Sequence, residues 1–179
     1  MSIKTAEVEV KGKSPLLMHQ YPMVPIEALE KKPSEEQAEL ASYRDPDTGE
    51  LYIPGICFQR SFISAASYSK GKDRASLQKL VAACVMVNPE RISLGTKTFK
   101  VDARPVVIRA TKGRVLRFRP RLDEWHCRFE VDYEDTLLTE NQLRKVIDDS
   151  GERVGVLDFR PQCNGYFGRF MVTGWKVKK

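Results

Sequence analysis

The stretch YRDPDTGELYIPGICFQRSFISAA, residues 43–66, places a turn, a short extended run and a Pro-Gly pair directly before a predicted helix. Asp, Pro and Gly in close succession are typical of a turn, and Gly55 allows the chain to change direction sharply. The helix is predicted over Ile56–Tyr68, because Phe58, Phe62 and Ala65 recur at helical spacing. Gln59, Arg60 and Ser64 lie outside that apolar stripe.

The start of this helix has two possible interpretations. The bend at Gly55 can serve the fold alone. Alternatively, the unpaired amide groups at a helix N-terminus attract phosphate, so the same bend would direct a binding site at a ligand. The rest of the chain has to distinguish these interpretations.

Composition bounds the protein class. The 179 residues, 41% of them hydrophobic, suit a single globular domain spanning 1–179. We expect a cytoplasmic protein without a membrane partner, because no apolar run is long enough to span a bilayer and residues 1–13 lack a signal-peptide pattern. The four cysteines form no Cys-x-x-Cys pair, so we expect no metal site and no cofactor.

Charge is segregated along the chain. The net charge is +6, and no acidic residue lies between Asp102 and Asp123. The cations in that interval are Arg104, Arg109, Lys112, Arg114, Arg117, Arg119 and Arg121. A solvated strand face usually mixes both signs, since like charges opposite one another are destabilising. The segregation therefore favours contact with a polyanion such as nucleic acid.

The same interval is predicted to be a β-hairpin turning at Thr111-Lys112-Gly113. This register pairs Ala110 with Arg114, Ile108 with Leu116 and Val106 with Phe118. One face is then apolar. The opposite face would carry Arg109, Val115, Arg117, Arg119 and Arg121.

Further elements complete a recognisable order. We predict strands over Ile3–Val10, the WHCRFEVDYE segment and the C-terminal GYFGRFMVTGWKVK segment. The apolar spacing from Leu77 to Val85 predicts a second helix, which stops before Asn88-Pro89. Another helix should follow Thr139, because Thr139 and Gln142 match a capping box. This helix should end at Gly151. Residues 20–50 and 70–100 should contain loop insertions. A β-α-β-β-α-β core predicts an α+β, ferredoxin-like fold, an antiparallel sheet with two backing helices.

Two motifs resemble one protein family. RDPDTGELYIPG followed by a helix, and GVLDFRPQCNGYFGRF near the C-terminus, are similar to the signature segment and the glycine-rich loop of the RAMP superfamily. These are the repeat-associated proteins of CRISPR effector complexes, and the nearest pattern is that of type III backbone subunits. The resemblance implies an RRM-like fold and an RNA-binding role in antiviral defence. Some members of this family cut RNA, but the leading interpretation here is binding without catalysis.

The resemblance also implies site residues and partners. Gly55, Gln59 and Arg60, with Ser64 on the same polar side, would face RNA from the first helix. The second motif would contribute the residues Asn164, Gly165, Tyr166, Gly168 and Arg169. The arginines of the hairpin would add charge. The expected partners are single-stranded RNA such as a guide RNA, further copies of this chain along that RNA, and other effector subunits.

Two other functions remain open at this stage. A phage or mobile-element protein could use the same scaffold to bind or anneal single-stranded DNA, or to interfere with defence. A metal-independent endoribonuclease could use His19, which follows the first strand, as a general acid or base.

Overall fold

The computed structural model describes residues 2–69, 77–108 and 111–178. Its main sheet contains four antiparallel strands: β1 (Ile3–Gly12), β4 (Val85–Asn88), β8 (His126–Glu134) and β9 (Phe170–Val177). They lie in the order β4-β8-β1-β9. With the two helices that connect them, this is the strand order of a ferredoxin-like α+β fold, as the sequence predicted.

Helices α3 (Gly55–Ala65) and α5 (Glu140–Asp149) pack together over one face of this sheet. Phe58 of α3 is fully buried, with its ring centroid 4.5 Å from that of Phe129 on β8 and 5.5 Å from that of Phe170 on β9. The predicted capping box between Thr139 and Gln142 is present at the start of α5. The predicted end at Gly151 is wrong, because the chain continues through a π-helical turn, Ser150–Val154, to Gly155 with φ +74°.

Helix α4 (Leu77–Cys84) ends earlier than predicted, because the predicted helix included Val85 and stopped only before Asn88-Pro89. From Val85 the chain becomes strand β4 and pairs with the edge of β8, Val87 opposite Val131. This pairing places Val85 and Val87 in the core. Local apolar periodicity could not distinguish strand β4 from a continuation of the helix, since a short apolar run fits either structure.

The insertion at residues 20–50 contains α1 (Ile26–Glu30) and α2 (Ser34–Leu40). A two-stranded ribbon joins β3 (Tyr52–Pro54) to β5 (Arg91–Ser93). A separate three-stranded sheet consists of β2 (Leu16–Leu17), β7 (Arg114–Leu122) and β6 (Lys100–Val107). The cationic hairpin β6–β7 therefore lies outside the ferredoxin-like sheet and is inserted between its strands β4 and β8.

The register predicted for this hairpin is wrong by three residues. Arg104 pairs with Arg117, Val106 with Val115, and Asp102 with Arg119. Arg109 and Ala110 lie outside the described residues. The observed register keeps Val115, Arg117, Arg119 and Arg121 on one face, but places an acidic residue, Asp102, among them.

Candidate nucleic-acid interface

The arginine face of the hairpin β6–β7 is directed at the glycine-rich loop, which we define as Gly155–Arg169. Strand β2 connects the two: it pairs with β7, and the Leu17 carbonyl accepts the Asp158 amide at 3.0 Å. The preceding carbonyl of Pro15 accepts the Gly168 amide at 2.8 Å. The hairpin and the loop are thus held on opposite sides of one short strand.

Between them lies a cleft of about 420 Å³, which we call the hairpin–loop cleft. The hairpin lines it with Arg104, Val106, Val115, Arg117 and Arg119 among others, the loop with Asp158 and Phe159, and the segment after β2 with His19. Charged and apolar groups therefore meet in one concave site, the usual form of a ligand site.

Several arginines of this face are paired with the protein's own carboxylates. Arg119 is 5% exposed and bonded to Asp158, and its Nε has no hydrogen-bond acceptor among the described residues. Arg104 contacts Asp102 at 2.6 Å, and Arg121 contacts Asp123 at 2.7 Å. The expectation of an unneutralised arginine surface is wrong for these three side chains, which mainly hold the hairpin and the loop together.

The remaining described cations are differently placed. Lys112 and Arg114 are exposed at the hairpin tip, and Arg117 is half-buried beside the cleft. None of the three forms an ion pair with a described residue of the chain. These three side chains are therefore available to contact an anionic ligand.

The glycine-rich loop is shaped by close backbone packing. Gly168 has φ +73°, and a Cβ there would lie 2.0 Å from the Val156 carbonyl oxygen. A Cβ on Gly165 would lie 1.7 Å from the Phe159 carbonyl oxygen. Both glycines are therefore required by the fold of the loop itself.

Aromatic side chains connect the loop to the hairpin. Phe167 is buried, and the guanidinium groups of Arg104 and Arg121 lie 4.7 and 5.7 Å from its ring centroid. Its neighbours Tyr166 and Phe159 are 64% and 41% exposed. Tyr166 was predicted as a site residue; Phe159 was not, although an aromatic residue inside a glycine-rich segment was the available signal.

The start of α3 lies beside the same loop. Ser61 donates to the Gly155 carbonyl at 2.9 Å. Burial raises the pKa of the Cys57 thiol, and the nearby positive charges of Arg160 and Arg60 partly oppose that rise. Exposed Arg60 thus contributes charge near the loop, and half-buried Ser64 follows it one turn later.

Two other predicted residues of α3 have structural contacts. The Gly55 amide donates to the Glu90 carbonyl at 2.7 Å, and a Cβ there would lie 2.7 Å from the Pro89 oxygen. The Gln59 side chain donates to the Val85 carbonyl at 2.6 Å and accepts from the Val87 amide at 3.1 Å. Gln59 therefore holds strand β4 against α3, and Gly55 packs against the residues that follow β4, so neither belongs to the interface proposed below.

At the end of the loop, Asn164 is exposed with φ +58°. The Arg169 guanidinium donates to the Glu152 carbonyl, and its amide donates to the Ser14 hydroxyl at 3.0 Å. Arg169 consequently packs toward the π-helical turn while remaining half-exposed.

The open face of the main sheet differs from an RNA-stacking surface. Its ion pairs include Arg128 with Glu7 at 3.0 Å and Lys178 with Glu130 at 2.6 Å. Within the described strands this face carries no Phe, Tyr or Trp. The aromatic stacking by which RRM domains bind RNA on their sheet therefore has no counterpart there.

Neither a metal-ligand cluster nor a membrane-spanning helix is present among the described residues. In the described ranges, no group of three or more His, Cys, Asp or Glu residues is placed to hold a metal ion. No described helix has the length and hydropathy needed to cross a bilayer.

Comparison with known proteins gives matches in structure only. No family model and no curated protein sequence matches the chain. A chain of the type III-B Cmr-beta complex bound to cognate target RNA matches with a TM-score of 0.61 and 12% identity, over 99% of this chain. Cmr6 from Pyrococcus furiosus matches with a TM-score of 0.52 and 12% identity, over 96% of this chain and 99% of its own.

This chain spans 61% of the matched Cmr-beta chain. Identities this low establish similarity of fold. On these matches, the chain has a RAMP-like fold, similar to that of Cmr6 and of the matched chain of the type III-B Cmr-beta complex.

Proposed function

We propose that the protein binds single-stranded RNA in the hairpin–loop cleft, as a subunit of a CRISPR-type ribonucleoprotein. The observation that carries the proposal is the apposition of the arginine hairpin and the glycine-rich loop around this cleft. Lys112, Arg114 and Arg117 would contact phosphates from the hairpin side. From the α3 and loop side, the contacts would come from Arg60, Ser64, Asn164, Tyr166 and Arg169, while the closely packed Gly165 and Gly168 would shape the loop that presents them.

Backbone contacts of this kind give affinity with little sequence preference and a strong dependence on salt. The test is fluorescence anisotropy with a labelled 30-nucleotide RNA between 50 and 300 mM salt. We expect the logarithm of the association constant to fall linearly with the logarithm of salt concentration, by about 0.7 per phosphate contacted. Binding that is absent at low salt would overturn the proposal, and competition by DNA of the same sequence distinguishes the two nucleic acids.

Assembly along the RNA is part of the proposal. In the insertion, Met23 is 85% exposed and Tyr21 71% exposed, which suits a contact with a neighbouring copy. Copies carrying a charge of +6 repel one another, and RNA phosphates would remove that repulsion. Sedimentation velocity should therefore show multimers only with RNA, and Met23→Glu should reduce the copies per RNA without changing single-copy affinity. Equal stoichiometry for both proteins would exclude this contact.

His19 supports a second candidate function, metal-independent RNA cleavage. Its Nδ1 lies 3.6 Å from Asp158 Oδ2, so the carboxylate can orient the ring while His19 lines the cleft. His19 would remove the proton of a ribose 2′-hydroxyl, whose oxygen attacks phosphorus and expels the 5′-oxygen. The 5′-oxygen takes a proton from water, and His19 returns its own proton to the solvent. The products are a 2′,3′-cyclic phosphate and a 5′-hydroxyl end. Labelled RNA incubated in chelator tests this: cleavage abolished by His19→Ala supports it, and intact RNA excludes it.

A further inference from the structure

Phe159 combines two features that the packing of the fold does not explain. Its backbone has φ +48°, in the left-handed region that is costly for a bulky residue. Its side chain is 41% exposed, so this backbone geometry does not serve to bury the ring. A strained backbone that presents an aromatic ring at a cleft is typical of a ligand-binding position.

The ring is held in a defined position from behind. The Phe167 amide donates to the Phe159 carbonyl at 3.1 Å, and the two ring centroids lie 6.2 Å apart. Phe167 itself is buried beneath the Arg104 guanidinium, 4.7 Å from its centroid. A ring held in this way loses little conformational freedom when a ligand binds.

The hairpin forms the wall of the cleft opposite Phe159, and this wall carries two apolar side chains beside a cation. Val106 and Val115 are paired on the hairpin face, and Arg117 follows Val115 on the same face. The volume of about 420 Å³ is within the range of about 300–1,000 Å³ typical of small-molecule sites. A flat ring could thus lie against Phe159 while a phosphate attached to it reaches Arg117.

The polar groups of the cleft limit which ring edges fit. Asp158 Oδ2 already contacts Arg119 and His19, and Arg117 is the arginine of the cleft that forms no ion pair with a described residue. Arginine side chains only donate hydrogen bonds. The part of the ring edge that faces Arg117 therefore has to offer an acceptor. The exocyclic carbonyl of guanine, uracil or cytosine does so, whereas the exocyclic amine of adenine donates.

We propose that the hairpin–loop cleft is a nucleobase subsite, in which one unpaired base with an exocyclic carbonyl, that is guanine, uracil or cytosine, stacks on Phe159 and hydrogen-bonds to Arg117. The subsite rests on the proposed RNA binding, and it adds a residue and a base preference. Stacking on an aromatic side chain contributes about 1–3 kcal/mol per base.

The test replaces Phe159 by Asn, a residue that tolerates the left-handed backbone conformation. Phe159→Asn should fold with an unchanged or higher melting temperature and bind labelled single-stranded RNA roughly 5- to 100-fold more weakly. The salt slope should not change, because no phosphate contact is removed. Tyr68→Ala is the matched control, since Tyr68 is 55% exposed at the other end of the α3 region.

Two further measurements make the result decisive. Phe159→Trp should restore the affinity and show indole fluorescence quenching by RNA beyond that of the wild-type tryptophans. Oligo-U should bind wild type more tightly than oligo-A, and Phe159→Asn should lose the difference. Wild-type protein that binds no RNA would refute the proposed function. Salt-dependent wild-type binding that Phe159→Asn leaves intact would refute the subsite alone.

Discussion

Arg117 and Arg119 lie two residues apart on the same face of β7, yet their substitutions should have different effects. The Arg119 side chain is 6% exposed and paired with Asp158, whose side chain is 30% exposed. Arg117 is half-buried and has no ion pair with any described residue. We therefore expect Arg119→Ala to affect folding and Arg117→Ala to affect RNA binding.

The magnitudes follow from these environments. Removing one partner of a buried ion pair costs about 3–5 kcal/mol, and the low end applies because Asp158 keeps some solvent and its contact with His19. A loss of about 3 kcal/mol lowers the melting temperature of a chain this size by roughly 6–12 °C. Arg117→Ala should change stability by less than about 0.5 kcal/mol. It should reduce RNA affinity roughly five- to tenfold and the salt slope by about 0.7.

The assays are thermal unfolding by circular dichroism and RNA anisotropy at several salt concentrations. Lys176→Ala is the control for charge, because Lys176 is exposed on the open face of the main sheet opposite Glu7. It removes the same charge away from the cleft. A melting temperature unchanged by Arg119→Ala, or a salt slope unchanged by Arg117→Ala, would refute the division of roles between the two arginines.

Three other outcomes are expected. Gly168→Ala should destabilise the protein by more than about 1 kcal/mol in denaturant unfolding, because it has φ +73° and no room for a Cβ; equal stability would contradict the described loop. Burial alone would raise the pKa of the Asp158 carboxyl, but the nearby His19 ring, 3.6 Å away, and the charge and hydrogen bond of Arg119 together lower that pKa. The stability that this carboxylate contributes is therefore present above about pH 4 and is lost as pH falls through its folded pKa. The free energy of unfolding of wild type should exceed that of Asp158→Asn, and this difference should shrink only below about pH 4. Burial raises the pKa of the Cys127 thiol to about 12, so Ellman's reagent at pH 8 should modify exposed Cys163 and spare Cys127 until the protein unfolds.

The sequence predicted the elements whose signals are local. The capping box at Thr139 and the apolar stripe through Phe58 and Phe62 were read correctly, because each depends on residues within one or two turns of helix. Strand β4 was missed, since its assignment depends on pairing with β8, about 45 residues later.

The charge pattern of the hairpin also shows that contacts between distant residues could not be predicted from the sequence. The acid-free interval correctly indicated a cationic strand pair, but three of its arginines are neutralised by Asp102 and Asp123 at its ends and by Asp158 from the glycine-rich loop. Sequence distance gave no indication of the contact with Asp158, which depends on how β2 brings the loop to the hairpin. Phe159 was overlooked for a related reason: its exposure and its place in the cleft appear only in three dimensions.

Photo-crosslinking of single-stranded RNA containing 4-thiouridine, followed by mass spectrometry of the crosslinked peptides, tests the binding surface most directly. We expect crosslinks within residues 104–118 and 156–169, on the two sides of the hairpin–loop cleft, with Phe159 or Tyr166 among the modified positions. Crosslinks concentrated on the open sheet face around Arg128 would contradict the account.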